Sequence, residues 1–160
     1  MKNENTNNPA NRKLKVLNNL NLSSIFENTT DSVWAINSAY EILYANHVFV
    51  SAFNESFGIY LKPGINLLMS LPKPLREAWK SRYDKALGGE SFSFIDHIEA
   101  GNTSIYIEVF MNPIVINKKV EGALFFGKDI TKRKLDEQAL LDSQLLLRSS
   151  LESQNDTILF

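Results

Sequence analysis

A five-stranded antiparallel sheet with helices on one face, an α+β fold, is what this sequence of 160 residues predicts, and three observations predict it. Residues that alternate as strands do fall into two clusters, two short strands before residue 46 and three after residue 91. A block of short helices separates the clusters, the arrangement expected when helices pack against one antiparallel sheet. Finally, the last strand runs through Gly127-Lys128-Asp129-Ile130-Thr131-Lys132-Arg133-Lys134 into a stretch without Gly or Pro. There Leu135, Ala139, Leu140, Leu141, Leu145, Leu146, Leu147 and Leu151 recur at helical spacing, so the octapeptide joins a sheet to a long helix.

The elements follow in order. Residues 1–12 are polar, with five Asn, and are expected to be disordered in isolation. Residues 13–30 are expected to form a flanking helix in which Leu14, Leu17, Leu20 or Asn21, and Ile25 mark the apolar side. Val33-Trp34-Ala35-Ile36 and Ile42-Leu43-Tyr44-Ala45 are two strands, with Asn37-Ser38-Ala39-Tyr40 turning between them. Asn46 caps a short helix through His47, Phe49, Val50 and Phe53, and Gly58 and Lys62-Pro63-Gly64 break the region that follows. Pro72 or Pro74 starts the next helix, Leu75, Ala78/Trp79, Arg82/Tyr83 and Ala86/Leu87 form its stripe, and Gly88-Gly89 stops it. Phe92-Ser93-Phe94-Ile95 opens the third strand, and Asn102 turns into the fourth, Ser104 to Phe110, kinked further on by Asn112-Pro113. Asn117-Lys118-Lys119 turns into the fifth, Val120 to Phe126. At the joint, Thr131 is placed as the N-cap of the long helix and Asp129 as a carboxylate beside its positive end.

Composition narrows the function classes. At 44% hydrophobic, with ten Phe and two Trp, the chain can bury a sizeable core. A net charge of −1 gives no electrostatic reason to expect nucleic acid or an anionic membrane as partner. The absence of cysteine excludes disulfides, thiolate metal sites and cysteine-based catalysis. No apolar run approaches the roughly 18 residues of a membrane span, and the Asn-rich start is no signal peptide, so a cytoplasmic address is expected.

The element order resembles the PAS sensor domain of bacterial signalling proteins. Asp129-Ile130-Thr131-Lys132-Arg133-Lys134 is similar to the Asp-x-Thr-x-Arg-Lys ending (the PAC motif) of such modules. Asp31-Ser32-Val33-Trp34-Ala35, Tyr44-Ala45-Asn46 and Glu108…Asn112-Pro113 add weaker matches, and the resemblance covers about Leu22 to Leu140. It implies a PAS domain over 31–131 and a signalling linker helix over 132–153. At an offset of 125 residues Leu22, Phe26, Glu27, Asp31 and Val33 align with Leu147, Leu151, Glu152, Asp156 and Ile158. Residues 154–160 are therefore expected to begin a second, truncated PAS module, and the sequence to be part of a longer multi-module protein.

The resemblance implies a sensory and dimerisation module relaying a signal through its C-terminal helix to an output, foremost a histidine kinase of a two-component system. Asp129, Thr131 and Arg133 are the candidate relay residues. Phe49, Phe53, Trp79, Tyr83, Phe94, Tyr106 and Phe125 come from elements around the usual PAS pocket and are candidates to line a small-ligand site. A core filled by these rings is the favoured reading, because so many large rings leave little room, and a ligand-free spacer contributing dimer contacts is the alternative function. No catalytic or metal role is expected. His97 lies beside Asp96 on a strand whose neighbouring side chains point to opposite faces, and His47 merely begins a helix. Haem is not expected, because the helix before the third strand holds no histidine, and flavin photochemistry of the light-sensing kind needs a cysteine. The expected partners are a second copy through the flanking helices, paired weakly with Leu140 and Leu147 at d and Glu137, Gln144 and Leu151 at a, and neighbouring PAS or kinase modules.

Overall fold

The computed structural model describes residues 15–16, 22–100 and 103–157. Its elements are α1 (22–27), β1 (Ser32–Asn37), β2 (Ile42–Ala45), α2 (His47–Phe57), α3 (Leu67–Ser70), α4 (Lys73–Leu87), β3 (Phe92–Ala100), β4 (Thr103–Ile116), β5 (Lys119–Asp129) and α5 (Thr131–Thr157). The strands form one five-stranded sheet in the order β2-β1-β5-β4-β3. The last strand in sequence thus lands beside the first: β1 is antiparallel to both β2 and β5, with Trp34 opposite Phe125 and Ala35 opposite Leu124. A central strand is covered on both faces, and Val33, Trp34, Ala35 and Ile36 are all buried.

Local chemistry sets the boundaries. Asn46 caps α2 by accepting the Phe49 N–H, and Gly58 closes it in the left-handed conformation (φ 69°), its N–H returning to Asn54 C=O. Asn66 caps α3 in the same way, and Arg76 donates to Leu71 C=O (2.7 Å) and Met69 C=O (2.8 Å) beyond it. Pro72 precedes α4 and Pro74 lies in its first turn, where a missing N–H costs nothing. The predicted stripe of α4 narrows to Tyr83 and Ala86 as its buried residues, Leu75 being 39% exposed.

Several expectations change in detail. In α1 the side chain facing the sheet is Phe26, which meets the rings of Tyr44 and Phe126, whereas Ile25 is 64% exposed. β4 continues through Asn112-Pro113 to Ile116 and β5 through Lys128 and Asp129, both longer than their alternation suggested. The turn between them holds Asn117 (φ 50°) and Lys118 (φ 64°), two left-handed residues in succession, as a type I′ hairpin requires, although a lysine takes the glycine position. Gly122 is needed for close approach, since a Cβ there would meet Ile36 O at 2.4 Å. α5 runs to Thr157, past residue 153, because Ser153-Gln154-Asn155-Asp156 contains nothing that stops a helix. Residues 1–14, 17–21, 101–102 and 158–160 lie outside the described residues, and with them the polar N-terminal segment, Leu14, Leu17 and Leu20 of the flanking helix, the turn between β3 and β4 and the expected strand start of a second module.

The chain divides into two compact units, Met1–Ser93 with Phe110–Gly127, and Phe94–Val109 with Lys128–Phe160. The core of the first unit is aromatic. Trp34 stacks on Phe49 (4.3 Å between centroids) and on Phe125 (5.3 Å), and Tyr83 meets Phe125 (5.1 Å) and Trp79 (5.5 Å). In the second unit Val109 and Ile130 are the buried apolar side chains among the described residues.

Candidate functional site

The joint between β5 and α5 is built within the second unit. Tyr106, on β4, holds it with both backbone groups. Its N–H donates to Thr131 Oγ1 (3.0 Å), and its C=O accepts from Ile130 N–H (2.9 Å). Asp129 Oδ1 accepts the Thr131 N–H (2.9 Å), which puts the carboxylate at the positive end of the helix as expected. The first helical bond runs from Lys134 N–H to Ile130 C=O (2.9 Å), so Ile130 holds the cap position and Thr131 is already the first helical residue. The reading of Thr131 as N-cap is thereby corrected. Asp129 satisfies the terminal N–H, and the threonine hydroxyl is turned onto the neighbouring strand instead.

The basic cluster after the joint is met by acids. Lys132 pairs with Asp136 (2.7 Å), a hydrogen bond that raises the ammonium pKa. Arg133 lies between Glu108 on β4 (3.5 Å) and Glu137 (3.8 Å), and Glu137 also meets Lys134 (3.6 Å). Such exposed pairs are screened by solvent and hold the fold only weakly. The partner Glu108 and the clasp from Tyr106 were not foreseen. Both come from a strand distant in sequence, and only the register of β4 brings them to the joint.

The candidate pocket residues divide between the units. Phe49, Phe53, Trp79, Tyr83 and Phe125 belong to the ring cluster of the first, where Phe53 also meets Phe57 (4.7 Å). Burial raises the pKa of the Tyr83 phenol. Trp34 Nε1, buried in this cluster, has no partner in good hydrogen-bond geometry among the described residues, and the Tyr83 hydroxyl is the group it interacts with. Phe94 and Tyr106 belong to the second unit, where the Tyr106 ring lies flat on His97 (4.3 Å, 4°), and His97 also bonds Ser104.

A second group of polar residues gathers at the end of β2. Asn46 is fully buried and uses all its capacity: Oδ1 accepts Val33 N–H and Phe49 N–H, and Nδ2 donates to Phe26 C=O and Asp31 C=O. Beside it Glu27 accepts from Tyr44 OH (2.8 Å) and from the His47 N–H (3.0 Å), with His47 Nδ1 also at 3.0 Å. The backbone bond from His47, foremost, lowers the Glu27 pKa, while burial and then the Glu27 contact push the Tyr44 phenol up to about 12.

No family model and no curated protein matches the sequence. Solved structures do, and they define the class: the chain has the PAS fold. It superposes on the PAS domain of BvgS from Bordetella pertussis with a TM-score of 0.59 at 14% identity, covering 84% of this chain and 98% of that one. A sensory box histidine kinase/response regulator structure from Burkholderia thailandensis gives 0.51 at 16%, covering 81% and 98%. The phage VqmA–DPO complex gives 0.59 at 16%, covering 84% of this chain but only 62% of the VqmA chain. The likeness is one of fold. Among the described residues no helix is long and apolar enough to cross a membrane.

Proposed function

We infer that the protein is a cytoplasmic sensory and dimerisation module that passes a change in its sheet through α5 to an output, foremost a histidine kinase. What carries this reading is the joint, where one residue of β4 binds Ile130 and Thr131 and Asp129 locks the first turn of α5. A rigid connection of this kind transmits rotation or tilt, whereas a loop would absorb it. Pairing with a second copy is supported by α5, on which Leu140, Leu146, Leu147 and Leu151 are each at least 60% exposed. The net charge of −1 favours protein partners, neighbouring PAS or kinase modules, over nucleic acid or membrane.

Two observations bear on the ligand. The mutual packing of Trp34, Phe49, Tyr83 and Phe125 favours a ligand-free spacer, while the buried indole N–H of Trp34, which the Tyr83 hydroxyl meets only outside good hydrogen-bond geometry, would gain a partner from an occupant with a hydrogen-bond acceptor. Haem and flavin are not part of either reading. Native mass spectrometry of freshly purified protein separates them: a stoichiometric bound small molecule supports sensing, and bare protein supports the spacer. The relay itself is tested by Asp129→Ala and Thr131→Val in the intact signalling protein. Regulation of the output is expected to be lost in both variants while the fold persists, and unchanged regulation in both would remove the relay role.

A further inference from the structure

We propose that the cleft between α5 and the β3–β4 strand pair, within the second unit, binds a small planar aromatic carboxylate. Alternation along the two strands builds one wall. Ile95 and His97 share a face of β3, and Ser104, Tyr106 and Glu108 share a face of β4, while Phe94 and the buried Val109 take the other side. The His97 ring lies flat on Tyr106, and His97 Nε2 is tied to Ser104 Oγ. The first turns of α5 cross this face. Arg133 reaches Glu108, and Lys134, Leu135 and Gln138, at i, i+1 and i+4 of the helix, form the opposite wall. Together Ile95, His97, Tyr106, Lys134, Leu135 and Gln138 line a cleft of about 380 Å³. Small-molecule sites run from roughly 300 to 1,000 Å³, so a ligand of one or two fused rings fits its size.

The lining selects the chemistry of the ligand. Ile95 and Leu135, 45% and 60% exposed, are apolar surface that a flat ring would cover. The stacked His97–Tyr106 pair holds two rings in one fixed orientation, which suits contact with a third. Among the described residues that line the cleft, Lys134 is the one permanent charge and none is a carboxylate. Glu137 lies 3.6 Å from Lys134 and 3.8 Å from Arg133, both beyond hydrogen-bond length, so the ammonium keeps donors for an anion. Gln138 gives an amide N–H to Asp142 (2.8 Å), which leaves Lys134 as the charged donor. Glu99, 3.9 Å from His97 Nε2, has a side chain 79% exposed, and solvent screens its charge. A flat apolar ring with one carboxylate matches this set, the ring against Ile95, Leu135 and the stacked pair, and the carboxylate on Lys134. The ring cluster of the first unit contributes no residue to the cleft. Binding there does not depend on the relay reading, although the ligand would touch both the strands and the first turns of α5.

Titration of the whole chain with 2-naphthoate, followed by NMR, tests the site. Saturable shifts are expected at the His97 ring protons and at the Lys134, Leu135 and Gln138 amides. Lys134→Gln, a change on the helix surface, is expected to weaken binding about ten-fold through the loss of a charged hydrogen bond. The uncharged 2-naphthamide is expected to bind the unaltered chain about ten-fold more weakly for the same reason. His97→Ala is expected to cost about five-fold through the lost ring contact. The absence of saturable shifts at millimolar 2-naphthoate overturns the proposal, as does unchanged affinity in Lys134→Gln. Shifts centred on the Trp34 and Trp79 indoles, with His97 unmoved, would put the ligand in the ring cluster of the first unit and overturn it equally.

Discussion

Asn46 shows how much one side chain can fix. It is buried to 0% exposure, and its two accepted and two donated bonds tie α1, the turn before β1, β1 itself and the first turn of α2 to one point. Asn46→Ala removes these four bonds and strands the Val33 N–H and two carbonyls without partners. Since an orphaned buried group costs about 1–3 kcal/mol and water can reach some of them, the expected loss is about 2–4 kcal/mol. Urea unfolding measures it, and a loss below about 1 kcal/mol would mean that the cluster rearranges. The sequence showed Asn46 as a helix cap, and that reading holds. Its three other bonds were hidden, because their partners are backbone groups whose positions depend on the fold.

Among the elements, the β4–β5 hairpin carries an avoidable cost. Lys118 sits at φ 64°, where an L-residue with a Cβ is disfavoured by about 1–2 kcal/mol, and the type I′ turn prefers glycine there. Glycine gives back part of that gain as chain entropy. Lys118→Gly is therefore expected to stabilise the protein by about 0.5–1 kcal/mol, read as a rise in the urea midpoint at unchanged slope. The joint makes the opposite point about local reading. Asp-x-Thr before a long helix suggested a capping threonine, and the carboxylate did fall at the helix end. The threonine hydroxyl serves β4 instead, because Ile130 takes the cap position and residue 131 begins the helix. A motif fixes which groups are available, but the neighbouring strand decides which bond forms.

For the whole molecule, the five strands, the helix block and the long terminal helix were legible because alternation, prolines and glycines mark them within short windows. Strand order was not legible from periodicity. It depends on β5 landing beside β1, a pairing between the two ends of the fold, while the superpositions bear out the PAS fold that the resemblance implied. The side of the sheet taken by α1 was equally invisible, since Phe26 and Ile25 are adjacent apolar residues and only the geometry of Tyr44 and Phe126 selects the first. How α5 is used also lies beyond a single chain, because its leucines, Leu146 at 73% and Leu147 at 62%, face outward.

The central claim is that sheet and helix are continuous through residues 129–131. The most direct measurement is the exchange protection of the Tyr106, Ile130 and Thr131 amides, whose partners are Thr131 Oγ1, Tyr106 C=O and Asp129 Oδ1. Slow exchange at all three, lost at Tyr106 in Thr131→Val, is the result this account predicts. Exchange at the rate of an unstructured chain from residue 128 onward would contradict it.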